Sequence, residues 1–186
     1  MRIKAFISPS TIMASGVGVA VLAASLSAQT RPSLKSQRIE RGRYLVTITG
    51  CHDCHSPKAD TQMTPDARRL LSGRPTTTVP PVQAPNEVRA SLDLTAWAGP
   101  WGNSYAANLT PDRETGIGAR YTEASFIKTL RTGKKPEGEA LLPPMPWPVY
   151  GQMTDEDLKA VYAYLTSLKP VKNVVRAAVT GAGARR

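Results

Sequence analysis

Cys51-His52-Asp53-Cys54-His55 gathers both cysteines and both histidines of the 186-residue chain into five consecutive positions. Two thiols with two residues between them suit three chemistries: disulfide exchange, metal binding, or thioether attachment of a haem. Zinc needs four ligands arranged as a tetrahedron, and five contiguous residues with no second ligand pair elsewhere cannot wrap one. Disulfide exchange calls for a βαβ setting that the sequence does not offer, and a structural disulfide would staple segments far apart. Attachment fits better. One helical turn carrying both thiols spans the two vinyl groups of a haem, and a histidine directly after the second cysteine is held beneath the iron as its proximal ligand.

The sixth iron ligand decides what such a haem does. His52 lies inside the attachment loop on the proximal side and does not reach the other face. The soft candidates are Met63, Met145 and Met153, because Met13 falls in an N-terminal segment read below as a signal. Met63 follows His55 too closely to cross over. Met145 stands in the run Leu141-Leu142-Pro143-Pro144-Met145-Pro146-Trp147-Pro148, where prolines fix the backbone and remove competing amide donors. Met153 directly precedes a helix cap, where an apolar residue packs as a staple. Met145 is the favoured ligand and Met153 the alternative.

The elements that must position these residues are helical. A helix over 36–48 places Ile39, Gly42, Leu45 and Val46 on one stripe, and Gly50 ends it just before Cys51. Thr122 caps a second helix running to Thr132, with Ala124, Ile127 and Leu130 or Arg131 as its buried stripe. A third begins at Thr154, carries Asp155, Glu156 and Asp157 in its first turn, and turns Leu158, Val161, Tyr162, Leu165 and Leu168 inward before Pro170 stops it. Residues 56–103 are rich in proline and lack periodicity, which predicts a long wrapping loop with one anchored turn at Leu70-Leu71-Ser72-Gly73-Arg74-Pro75. Trp97, Trp101 and Trp147 read as packing around the crevice, and Arg74 as either a partner for a haem propionate or a solvated cation. No strand pattern stands out, so the expected class is all-α.

Arg2 and Lys4 followed by a charge-free run from Thr11 to Leu26 predict a signal peptide over 1–28, hence export to the periplasm or cell envelope; an uncleaved membrane anchor is the alternative. A domain over 36–170 and a flexible tail over 171–186 complete the organisation. The formal charge of +10 falls to +8 without Arg2 and Lys4, which favours acidic docking partners. The basic residues are scattered and not interleaved with aromatics, which excludes a nucleic-acid surface.

The order of helix, CHDCH, long loop, methionine loop and final helix resembles the class I cytochromes c. More narrowly, Asn108-Leu109-Thr110-Pro111-Asp112-Arg113-Glu114-Thr115-Gly116-Ile117-Gly118, Pro144-Met145-Pro146 and Met153-Thr154-Asp155-Glu156-Asp157-Leu158 resemble one module of the cytochrome c subunits of bacterial membrane-bound alcohol, sugar and aldehyde dehydrogenases. Those subunits often carry three CxxCH motifs, whereas this chain has one. The resemblance implies a single haem domain with crossing N- and C-terminal helices and long loops, and the methionine of the Pro-Met-Pro loop as axial ligand, which favours Met145. The expectation is an electron carrier, not an enzyme: one covalent haem c on Cys51 and Cys54, its iron held by His55 and Met145. Partners would be redox proteins such as a membrane-bound dehydrogenase or a terminal oxidase, with no small-molecule substrate. A peroxidase or gas sensor would need the methionine displaced and a distal acid or base that the chain lacks.

Overall fold

A computed structural model describes residues 32–84 and 86–180; the expected signal peptide, 1–28, lies outside them. Helix α1 (Leu34–Ile48) starts at Ser33, whose hydroxyl accepts the Ser36 amide at 3.1 Å, and buries Gly42, Leu45 and Val46. It packs on α5 (Asp155–Ser167), which buries Leu158, Ala160, Val161 and Leu165. Gly42 makes that approach possible, because a Cβ there would collide with the backbone carbonyl of Ala160. Arg41 and Asp157 join the two helices at 2.9 Å on the solvent side. Each fully buried Leu or Val at this interface is worth about 1.5–3 kcal/mol relative to exposure.

Helix α3 (Glu123–Thr132) carries a reciprocal cap between Thr122 and Ser125 and ends at Gly133, whose φ is 68°. Its buried face is Phe126, Thr129 and Leu130, with Ile127 packed against the core; of the expected stripe Leu130 and Ile127 face inward, whereas Ala124 is exposed. The large Phe126 ring settles the matter, packing against Tyr162 at 5.4 Å and edge-on to Tyr121 at 6.3 Å. Two further short helices, α2 (Cys51–His55) and α4 (Trp147–Tyr150), lie at the chemistry-bearing segments.

The expected all-α class is wrong. Within the expected loop and just beyond it run β1 (Arg89–Ala90), β2 (Ala96–Gly99) and β3 (Gly102–Tyr105), and β4 (Val179–Thr180) completes an antiparallel sheet in the order β1-β2-β3-β4. The strands escape a sequence reading for physical reasons. Strand β2 buries Ala96, Ala98 and Gly99, and β3 buries Gly102, Asn103 and Ser104, so neither alternates large apolar with polar residues. The polar ones are matched by partners distant in sequence: Asn103 Nδ2 donates to Pro81 O at 2.9 Å and Gln83 Nε2 donates to Asn103 Oδ1 at 2.8 Å. Pairing of β4 with β3 joins Val179 to Asn103, a contact no local pattern announces.

Of the segment expected as a flexible tail, 171–186, residues 181–186 lie outside the described ones, and Val171 and Asn173 bond to the body of the fold. Asn173 is buried, and its side-chain amide donates to Ser72 O at 2.7 Å and Arg74 O at 2.9 Å. The carbonyl of Val171 accepts from Asn108 Nδ2 at 2.8 Å. Among the described residues no helix is long and apolar enough to cross a membrane.

Candidate haem site

Helix α1 ends at Thr49, and Gly50, with φ 71°, turns the chain directly into α2. Cys51 and Cys54 therefore lie one helical turn apart, both half-buried and neither in a disulfide. Burial pushes both thiols above the ordinary cysteine range, so they are protonated near neutrality and unlike the low-pKa pair of a disulfide oxidoreductase. Among the described residues no cluster of three or more His, Cys, Asp or Glu side chains gathers to hold a metal, so this pair has no partners for zinc. Lys58 closes the other end of α2. Its ammonium donates to the carbonyls of His52, Asp53 and Ser56 at 3.1, 2.8 and 2.7 Å.

His55 is oriented by a backbone carbonyl 52 residues away: Nδ1 lies 2.8 Å from Ala107 O. A carbonyl only accepts, so Nδ1 carries the proton and Nε2 keeps its lone pair. Burial lowers the imidazole pKa further below its usual value, which keeps the ring neutral. Gly73 brings the two segments together. Its amide donates to His55 O at 2.8 Å, its φ is 76°, and a Cβ there would strike the 106–107 backbone at 2.6 Å. His52 is engaged elsewhere, with Nδ1 2.9 Å from Ser56 Oγ.

Met145 and Met153 are both half-buried against the core that Cys51 also touches. Met63 sits apart in a turn closed by Asp60, whose carboxylate accepts the amides of Gln62 and Thr64 at 3.0 Å each. The methionine run is not fully extended as its prolines suggest, because Pro146 leads into the single turn of α4. Tyr150, at the end of that turn, donates its hydroxyl to Thr49 O at 2.8 Å and so latches the Met145 segment to the mouth of α2. Burial, with the nearby thiols and Asp53, pushes the phenol up to about 12, so it remains a donor throughout the neutral range.

No family model matches the chain. Against curated proteins it is 35% identical over 143 residues to the fructose dehydrogenase cytochrome subunit of Gluconobacter japonicus, covering 76% of this chain and 24% of that one. It is 32% identical over 158 residues to the cytochrome c subunit of a quinone-type alcohol dehydrogenase from Gluconacetobacter polyoxogenes, with 84% and 27% covered. The gluconate 2-dehydrogenase cytochrome c subunit of Pantoea cypripedii matches at 33% over 154 residues, with 83% and 27% covered. The chain is a homologue of dehydrogenase cytochrome c subunits. It spans about a quarter of the length of these relatives.

In this cytochrome c homologue the donor set fits a c-type haem: two unpaired thiols on one turn, a histidine with its outer nitrogen free, and a thioether against the same core. Three supporting residues escaped sequence reasoning. Ala107 acts through its backbone and leaves no side-chain signal; Tyr150 looks like one more aromatic; Lys58 looks like one more surface cation, although its place just past a short helix is a known capping position. Arg74 is not solvated. It is 1% exposed, donates to Thr78 O at 2.9 Å and to the hydroxyls of Ser91 and Thr95 at 3.4 Å each, and stacks over Tyr105. The three tryptophans are half-buried packing groups, and Trp147 lies against Gly133.

Proposed function

We propose that this cytochrome c homologue is a single-haem electron-transfer module of the cell envelope, with haem c held covalently by Cys51 and Cys54 and its iron ligated by His55 and Met145. The observation that carries the reading is the hydrogen bond from His55 Nδ1 to Ala107 O, which leaves Nε2 as the only free donor of a histidine fixed to the helix that bears both thiols. When bound, the haem supplies a one-electron couple, and a methionine ligand raises its potential. The chain's own residues do the rest. The two cysteines tether, Ala107 fixes the histidine's tautomer and orientation, Lys58 holds the end of α2, and the Tyr150 latch keeps the Met145 segment closed. With His55 and Met145 both engaged, no coordination position remains for a substrate.

The electron donor in this proposal is a dehydrogenase, in keeping with the names of the relatives, and the basic surface suits an acidic docking face. The test is the absorption spectrum of the oxidised and reduced holoprotein, repeated with Met145→Ala and Met153→Ala and with carbon monoxide added after reduction. A sulfur-to-iron charge-transfer band lost in Met145→Ala alone, with no carbon monoxide bound by the unmutated protein, is the expected result. Loss of the band in Met153→Ala instead moves the ligand to Met153. A high-spin protein that binds carbon monoxide readily overturns the carrier reading in favour of a peroxidase or gas-binding protein.

A further inference from the structure

The β-sheet that the sequence did not announce touches both sides of the proposed haem site through a single segment. Residue Ala107, two positions beyond the end of β3, supplies the carbonyl that orients His55. Ser104, inside β3 and 8% exposed, donates its hydroxyl to Pro143 O at 2.5 Å, two residues before Met145. The same hydroxyl accepts from Trp101 Nε1 at 3.3 Å, so its proton has one use and its lone pair another. Strand β3 is held in turn by four register pairs to β2, with Trp97 opposite Ser104, and by β4 on its other edge. A strand fixed on both edges is a stiff mount for a side chain.

Ser104 also stands alone in its task. Leu141 N donates to Gly133 O at 2.7 Å, and Tyr150 reaches Thr49 O at 2.8 Å, which pins the methionine loop at its two ends. From Leu142 to Val149 the remaining hydrogen bonds are local, within the loop, such as Met145 N to Leu142 O and Trp147 N to Met145 O, or to Tyr150, Gly151 and Gln152 just after it. The Ser104 bond is the one hydrogen bond, among the described residues, between that span and a segment outside the loop and the turn that follows it. We infer that Ser104 is a positioning residue for the methionine ligand, and that the β2–β3 hairpin exists in part to set the spacing between the His55 and Met145 supports. The inference rests on the Met145 ligand reading above.

The ferric holoprotein reports on this through exogenous imidazole, which enters only when the methionine leaves. Ser104→Ala removes one hydrogen bond and leaves Pro143 O without its donor, so the imidazole-binding rate should rise about three- to tenfold while the charge-transfer band persists at equilibrium. Ser104→Thr keeps the hydroxyl and should bind near the unmutated rate. Trp101→Phe removes only the indole donor to Ser104 and should accelerate binding by a smaller factor; it carries the test if Ser104→Ala does not load haem. Unchanged rates in Ser104→Ala and Trp101→Phe, alongside fast binding in Met145→Ala, overturn the positioning role and leave the ligand in place. A Met145→Ala protein that binds imidazole at the unmutated rate overturns the ligand assignment itself.

Discussion

The helical frame and the sheet-bearing segment are held together by opposite means. Around α1, α3 and α5 the buried residues are Gly42, Leu45, Val46, Phe126, Leu130, Leu158, Ala160, Val161 and Leu165, with Thr129 the lone polar one. Between Ser56 and Thr110 the balance inverts. Apart from Leu71, two prolines, three alanines and three glycines, what is buried there is Ser56, Ser72, Arg74, Thr95, Asn103, Ser104, Asn108 and Thr110, and Asn173 joins them from the tail. The frame is driven by apolar area, which is tolerant of detail; the sheet region depends on each donor finding its acceptor, which is not. The functional consequence is that the frame sets the proximity of the attachment helix to the methionine loop, and the polar region sets the orientation of what they carry.

The comparison is broken most forcefully from the frame side. Leu158→Ala, at a fully buried position between α1 and α5, should cost about 4 kcal/mol and lower the urea midpoint of the holoprotein equally at pH 5 and pH 7. A loss that changes with pH would mean the frame is not apolar in character. In the polar region, Arg74→Ala should cost about 3 kcal/mol, because it strips the Thr95 hydroxyl and the Thr78 carbonyl of their donor and takes from the Ser91 hydroxyl one of its two. Here hydrogen exchange should rise over 89–105 while amides of α1 and α5 keep their protection; uniform loss across both regions would show one cooperative unit instead of two.

A gentler probe is acid. Burial opposes ionisation of Asp93, but bonds from Ser91 and Thr95, with Arg74 nearby, outweigh it and hold the carboxyl below its ordinary 3.8. A depressed folded-state value means the stabilisation is present above the unfolded value and is lost as pH falls through the folded one. Unfolding followed below pH 4 should therefore show a loss that Asp93→Asn flattens. An identical acid profile in the variant would assign the acid sensitivity to other carboxylates, such as Asp157 beside Arg41.

The same contrast explains what the sequence disclosed. Helix boundaries were legible because caps are local: Thr122, Gly133 and Thr154 each act within a turn. The CHDCH spacing was legible because it falls within a single turn, α2. The sheet, the burial of Arg74 and the docking of Asn173 were not, since each depends on partners far away in the chain and on small or polar residues that mimic a loop. Of the proposed site, Cys51, Cys54, His55 and Met145 stand in motifs, whereas Ala107, Ser104 and Tyr150 act through a carbonyl, a single hydroxyl and a single phenol whose partners only folding brings near.

The Asn173 bridge has a consequence for the order in which the molecule is made. Its two acceptors, Ser72 O and Arg74 O, precede it by 101 and 99 residues and flank the Gly73 that grips His55. A ribosome releases the CHDCH segment long before it releases Asn173, so the grip on His55 can be completed only after a stretch of chain far downstream has been made.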